Sequence, residues 1–191
     1  DWNGTNLSKK WVLDSGTDSS NNFYGQGNHS LSVADLDNDG FDEIVYGSAA
    51  VDHDGKVLHS TKWGHGDALH VSDFNNDGKQ EIFSVLEEKP NYGTAYRDGD
   101  TGKEFWHSKA GQDTGRGIMI NASSKYNPLG FSSEDGNFFD SSGNKLSLKR
   151  VGGANFAVYW DGDLYRELSD GLTITKVKDD YGMVKIWDNG I

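Results

Sequence analysis

Residues 33–48 read VADLDNDGFDEIVYGS, and residues 71–86 read VSDFNNDGKQEIFSVL. Each is an acidic run held between two apolar runs. In the first, Asp35, Asp37 and Asp39 stand at positions one, three and five, Gly40 turns the chain, the Phe41 carbonyl falls at seven and Glu43 at nine. The second repeats this with Asp73, Asn75, Asp77, Gly78, the Lys79 carbonyl and Glu81. Alternate residues of a tight loop project into one concave space, and the glycine lets the chain reverse so that a later carboxylate closes a ring of hard oxygens. Carboxylates converging at neutral pH repel one another unless a cation joins them. The spacing therefore predicts calcium in both loops. Magnesium keeps several waters and demands a stricter octahedron. An EF-hand would place its closing glutamate at position twelve, between two helices. Here it comes at nine and runs straight into EIVYG and EIFSV, which read as strands.

A longer period lies beneath the two loops. AAVDHDGKVLHS, AYRDGDTGKEFWHS and FFDSSGNKLSLK each carry a strand, an Asp/Gly turn, a lysine and a second strand, with turn glycines at Gly55, Gly102 and Gly143. Self-similarity every ~40–47 residues, with several strands per unit, is the signature of β-propeller blades. The predicted blades are Gly27 to Ser60, Gly64 to Ser108, Gly115 to Leu148, and Gly153 onward. A single blade cannot bury both faces of its sheet, so blades must stack around an axis. The fold class expected is all-β: one propeller region over 1–191, either a very small propeller or an arc of a larger one. The segment 160–171, WDGDLYRELSDG, could form a strand pair or a single helical turn.

The third repeat departs from the pattern. In MINASSKYNPLGF the corresponding positions are Asn121, Ser123 and Lys125, with no closing acid. No calcium is expected there, and the Lys125 ammonium is expected in the space a cation would fill.

Composition narrows the classes. Twenty-five glycines, two prolines and 12% aromatics among short apolar runs favour many brief strands over helices. Eighteen Lys and Arg against thirty Asp and Glu give a formal net charge of −12, which argues against nucleic acid or an anionic membrane as partner. There is no cysteine, hence no disulfide framework. No run approaches the ~20 apolar residues of a membrane span. The N-terminal DWNGTNLSKKW lacks the apolar core of a signal peptide, which leaves mature secreted, trimmed and cytosolic forms alike open.

Ahead of each loop sits a short glycine motif: GNHSLSVAD, GHGDALHVSD and GRGIMINAS. The first strand of a blade lies nearest the axis, so His29, His65, Asp67 and Arg116 are expected to converge on the mouth of a central channel. Glu87, after IFSVL, and Asn155, at the start of the fourth repeat's inner strand, can reach the same place. His70 alternates with Leu69 and Val71 and reads as a satisfied core or interblade histidine. His53, His59 and His107 read as solvated. The pairs Tyr159–Trp160 and Phe138–Phe139 read as packing between blades.

With GQGNHSLSVADLDNDG, GHGDALHVSDF, TGRG and NFAVYWDGDLYREL in view, the chain resembles the rhamnogalacturonan lyases of polysaccharide lyase family 11, from about Leu7 to the end. The resemblance implies a secreted, mostly bacterial, calcium-bearing eight-bladed propeller that cuts the rhamnose–galacturonate backbone of pectin by β-elimination. It puts His29, His65 and Arg116 at positions of the catalytic cleft, and Asp67 and Glu87 where a cleft cation is held. The third loop has lost the family's acids, and Leu86 stands where a histidine is common. About four blades of eight are present, so the chain reads as a fragment completed by other copies or chains.

Such an elimination removes a proton from the carbon beside a galacturonate carboxylate while the developing charge is neutralised. Calcium, held by some of His29, His65, Asp67 and Glu87, would do this with Arg116 beside it, and Asn155 would contact the sugar. A neutral histidine or another base takes the proton. The alternative is a non-catalytic, calcium-stabilised propeller that binds glycan or protein. That reading accounts for the loops and the repeats but not for two histidines and an arginine at matched offsets.

Overall fold

The computed structural model describes residues 1–132, 135–153 and 155–189. Among these residues, sixteen strands form four antiparallel four-stranded sheets, each laid down in chain order. The first sheet holds β1 (Ser32–Ala34), β2 (Glu43–Tyr46), β3 (Ala49–Val51) and β4 (Val57–Ser60). The second holds β5 (Gly66–Ser72), β6 (Glu81–Leu86), β7 (Gly93–Asp98) and β8 (Glu104–Lys109). The third holds β9 (Gly117–Ile120), β10 (Leu129–Ser132), β11 (Phe138–Phe139) and β12 (Lys145–Leu146). The fourth holds β13 (Phe156–Val158), β14 (Glu167–Asp170), β15 (Thr173–Lys178) and β16 (Gly182–Asp188). Each predicted repeat encloses one sheet to within a residue. The segment 160–171 resolves into a loop leading to β14. Among the described residues there is no helix, and so none long and apolar enough to cross a membrane.

The period of two along a strand explains how the sheets stack. Every residue of β6 is buried. Ile82 packs with Leu36, Val45, Ala50 and Leu69 between the first and second sheets. Its neighbours Phe83 and Val85 point the other way, to Met119, Trp106 and Phe139. Phe138 and Phe139 split likewise, Phe138 joining Leu168, Val177 and Met183 against the fourth sheet. Each such aromatic contributes ~1.5–3 kcal/mol by burial, and each sheet needs a neighbour on both faces to collect it. The first strands are neighbours: β1 touches β5, β5 touches β9, and β9 touches β13. Their starting residues are thereby gathered at one place.

The repeated Asp/Gly turns have a physical purpose. Trp11 Nε1 donates to the His53 carbonyl at 3.1 Å, His59 Nε2 to that of Gly99 at 2.8 Å, and Trp106 Nε1 to that of Ser141 at 3.1 Å. Each ring lies where a Cβ on the following turn glycine, Gly55, Gly102 or Gly143, would come within 2.6–2.7 Å of it. Only glycine admits the ring. Trp11 from the N-terminal segment, His59 from the first sheet and Trp106 from the second are thus clasped onto the β3–β4, β7–β8 and β11–β12 turns. His59, read from sequence as solvated, is buried in this clasp, and burial together with Arg97 lowers its pKa to about 4. His107 is half-buried and donates to the Asn91 carbonyl at 3.1 Å. His70 ties β5 to β9 through the Gly117 carbonyl at 2.9 Å, as expected.

Arg97 fastens the first two sheets together. Fully buried, it reaches Ser84 Oγ at 2.9 Å and the Gly47 carbonyl at 2.6 Å, with its guanidinium over Trp63. Burial pulls its pKa down to about 9. Tyr159 and Trp160 do not pack between sheets. Both are at least half-exposed, Tyr159 under the Arg166 guanidinium and Trp160 against Trp187 of its own sheet.

Candidate functional site

Two sheets build the centre of the site. Asn28 forms a parallel bridge with Gly66, His29 N donates to the Gly66 carbonyl at 3.2 Å, and Glu87 N donates to the His65 carbonyl at 3.1 Å. These backbone bonds bring the loop before β1, the start of β5 and the end of β6 together. The register of β5 on β6 slips between Gly66 and Ala68, leaving Asp67 as the extra residue of a bulge. A bulge re-aims its side chain. Asp67 Oδ1 lies 3.3 Å from His29 Nε2, and Glu87 Oε1 lies 2.9 Å from His65 Nε2 and 3.8 Å from His29 Nε2. The two imidazoles meet edge to face at 4.9 Å.

A carboxylate oxygen facing an imidazole lone pair is repulsive, so each Nε2 must carry a proton toward its carboxylate or share a cation with it. Ligand atoms of His29, His65 and Glu87 lie within 4.8 Å of one another, and so do those of Asp67, Glu87 and Asp113. Burial, with Asp67 and Asp113 adding repulsion, raises the Glu87 pKa above the ordinary carboxylate value. A cation there would remove that cost. Arg116 is exposed and lines, with Asp67 and Asn155, a cavity of 180 Å³ reaching from β5 to β13. Asn155 Nδ2 is committed to Asp170 Oδ1 at 2.6 Å, which leaves its amide oxygen for a ligand.

The two acidic loops share one frame. Asp35 accepts from Asp39 N and Gly40 N, both at 3.1 Å, and Asp73 accepts from Asp77 N and Gly78 N, both at 3.0 Å. Phe41 N reaches Asp39 Oδ1 at 2.8 Å, and Lys79 N reaches Asp77 Oδ1 at 2.9 Å. Glu43 Oε2 accepts from Leu36 N at 2.7 Å, and Glu81 Oε2 accepts from Phe74 N at 2.9 Å and the Tyr96 hydroxyl at 3.0 Å. The other oxygens differ. Glu43 Oε1 is buried with no hydrogen-bond donor, whereas Glu81 Oε1 accepts from Asn75 Nδ2 at 3.1 Å. Burial first, then Asp37, Asp39 and Asp52, push the Glu43 carboxyl up. Burial and Asp77 push Glu81 up against the three bonds, from Phe74, Tyr96 and Asn75, that lower it. An orphaned buried oxygen among acids suits a hard cation, so the donor set fits calcium in the first loop. In the second, Asn75 Oδ1 already accepts from Asp77 N at 2.8 Å, and the amide would have to turn over to free that oxygen for a metal.

The family described as "Rhamnogalacturonan lyase family 11, C-terminal domain" matches residues 1–187. The chain belongs to this family. It is 47% identical over 181 residues to the rhamnogalacturonan exolyase YesX of Bacillus subtilis and 46% identical over 173 residues to the endolyase YesW of the same organism. Each match covers 89% of this chain but only 29% and 28% of those proteins. Among solved structures, the exotype lyase YesX superposes with a TM-score of 0.88 at 42% identity, covering 100% of this chain and 35% of that one. The Bacillus licheniformis rhamnogalacturonan lyase PL11 gives 0.87 at 39% identity, covering 100% and 33%.

Within this family chain, the residues singled out in the sequence largely come together. His29, His65, Asp67 and Glu87 form one cluster, with Arg116 and Asn155 on the adjoining cavity. Asp113 was missed. Its signal is the GQDTGRG turn just before Arg116, where the aspartate stands three residues ahead of the arginine. His53, expected to be solvated, belongs to the first acidic loop: its Nδ1 is 2.6 Å from Asp52 and 3.5 Å from Asp39, and its ring stacks on Phe41. Lys125 does not occupy the centre of the third loop. Its ammonium pairs outward with Asp180, and the closing position there is the buried Leu129.

Proposed function

We propose that this chain forms the part of a calcium-dependent rhamnogalacturonan lyase in which the catalytic cleft lies. The reading rests on the meeting of His29, His65, Asp67 and Glu87, from two sheets, within reach of one ion in a chain of this family. The four sheets are successive blades of a larger, eight-bladed propeller, and the first two acidic loops hold calcium. One feature supports the arc. The ring of Trp187 follows a bulge on β16 just as His59 and Trp106 follow bulges on β4 and β8, yet it is 40% exposed and clasps no turn among the described residues. A secreted protein completed by further blades, acting on the pectic polysaccharide, accords with this.

The chemistry is an elimination at a galacturonate. The proton on the carbon beside the carboxylate leaves to a base, its electron pair becomes the new carbon–carbon double bond, and the neighbouring carbon–oxygen bond breaks, its electrons leaving with the sugar oxygen, which is then protonated. Bound calcium supplies charge neutralisation at the carboxylate. His29, His65, Asp67 and Glu87, with Asp113 beside them, would hold it. Arg116 offers a planar fork for the same carboxylate, and the Asn155 amide oxygen accepts from a sugar hydroxyl. An imidazole not engaged as a ligand, or another base, takes the proton.

A chimera tests this: residues 1–187 replace the matching region of the Bacillus subtilis exolyase. With rhamnogalacturonan and calcium, ultraviolet absorbance of the new double bond should rise, and chelator should stop it. His65→Ala in the chimera should lower turnover by roughly 100-fold and weaken the calcium requirement. A His65→Ala chimera that keeps both its turnover and its calcium requirement would overturn the assignment.

A further inference from the structure

The loop between β13 and β14 carries the same frame as the two acidic loops, although its first position is Tyr159. Position three is Asp161, five is Asp163, and nine is Glu167. Glu167 Oε2 accepts from Trp160 N at 2.8 Å, as Glu43 does from Leu36 N and Glu81 from Phe74 N. Tyr165 N reaches Asp163 Oδ1 at 2.7 Å, matching Phe41 on Asp39 and Lys79 on Asp77. Position four has positive φ in all three loops, at Asn38, Asn76 and Gly162. Where the loops differ is in what stands across the sheet. Opposite Glu81 on β7 is Asp98, and opposite Glu43, one step beyond the Ile44–Val51 pair, is Asp52. Opposite Glu167, one step beyond Leu168–Thr175, is Lys176.

The Lys176 ammonium lies 2.5 Å from Asp161 Oδ2, 2.5 Å from Asp163 Oδ2 and 3.3 Å from Glu167 Oε1. Its side chain is 18% exposed and that of Glu167 is fully buried. Asp161 and Asp163 accept hydrogen bonds from the ammonium, while Glu167 Oε1, buried and without a hydrogen-bond donor, faces its charge at ion-pair distance. Burial alone would lower the Lys176 pKa, but the bonds to the three acids more than reverse this and hold it above its ordinary value.

We infer that the fourth loop carries its own cation: the Lys176 ammonium takes the place a divalent metal takes in the first two loops, and a divalent-metal site lies latent beneath it. This rests on the proposal that those two loops bind calcium. Replacing Asp at position one by Tyr159 leaves three carboxylates and the position-seven carbonyl. That is a poor set for an ion wanting six to eight oxygens but a full set for an ammonium. The fourth sheet would thereby keep its loop closed when metal is scarce.

The test is calcium bound per chain, by equilibrium dialysis at about 1 mM, the weak end of protein calcium sites, together with thermal unfolding in calcium and in chelator. Lys176→Met should bind one more ion than the wild type. Its midpoint should fall below the wild type's in chelator and recover with calcium. The variant D161N/D163N/K176M should bind no extra ion and gain nothing from calcium beyond what the wild type gains. K176M that binds no extra ion, or that stays unfolded in calcium while the triple variant folds, overturns the inference. Asp39→Asn and Asp77→Asn in the wild-type background read the other loops separately. If neither loses an ion, the calcium proposal for those loops fails, whatever K176M does.

Discussion

In the first sheet the loop after β1 gathers Asp35, Asp37, Asp39 and Glu43 and leaves a buried oxygen, Glu43 Oε1, with no donor. In the fourth sheet the loop after β13 gathers Asp161, Asp163 and Glu167 on the same backbone frame; Glu167 Oε1 too has no hydrogen-bond donor, but the Lys176 ammonium stands 3.3 Å from it and fills the centre. The frame is therefore independent of the charge it encloses. What the sequence varies is the source of the positive charge: the chain itself supplies it in the fourth loop, and in the first it would come from solution under the calcium proposal. The third loop shows the remaining solution, in which the closing acid has become Leu129 and no charge needs an answer.

The largest effect expected is at the closing glutamates. Glu81→Ala would strand Phe74 N and the Tyr96 hydroxyl in a buried place and should cost about 3 kcal/mol in urea unfolding, with calcium present. A loss below about 1 kcal/mol would mean that the frame does not depend on its closing acid.

The pH dependence comes next, and two signs oppose. The Glu43 and Glu81 carboxyls are raised in the metal-free fold, so in chelator their share of stability grows as pH falls from their folded values toward 4.5, and calcium should abolish this trend. His59 is held neutral. Its folded pKa of about 4 lies below the ordinary histidine value of 6.5, so its contribution is full above 6.5 and is lost as pH falls to 4. The difference between wild type and His59→Gln across that window should be about 2–3 kcal/mol, since one pKa unit is worth about 1.4 kcal/mol. A flat difference would say that His59 does not sit in the clasp as a neutral ring.

A smaller change sharpens the contrast between the first two loops. Asn75→Asp gives the second loop the charge of the first and should tighten its calcium affinity on the order of tenfold, read by calorimetry. The smallest effect is at Lys125. Its pair with Asp180 is exposed, so Lys125→Ala should leave the unfolding midpoint unchanged, in contrast with Lys176→Met.

Much of this was legible in the sequence because the fold repeats itself. Two copies of an acidic loop, and turn glycines at Gly55, Gly102 and Gly143, located the first three sheets, and the fourth followed as the remainder from Gly153 onward. The glycine motifs ahead of the loops located His29, His65 and Asp67. The rest failed where one residue hid a pattern. Tyr159 at position one concealed the fourth loop, although Asp161, Asp163 and Glu167 keep their offsets. The cation sought at Lys125, within a loop, came instead from Lys176, across the sheet, and strand register is invisible in a single sequence. His59 looked solvated because its burial depends on a turn of the next sheet, some forty residues further on. Asp113 joined the site through its fold alone, with no offset shared by other repeats.

Hydrogen exchange of the chain in calcium and in chelator tests the central claim most directly. Amides held by the closing acids, at Leu36, Phe74 and Trp160, report on the three loops side by side. Chelation should release Leu36 and Phe74 and leave Trp160 protected. Equal loss of protection at all three, or none at any, would contradict the account.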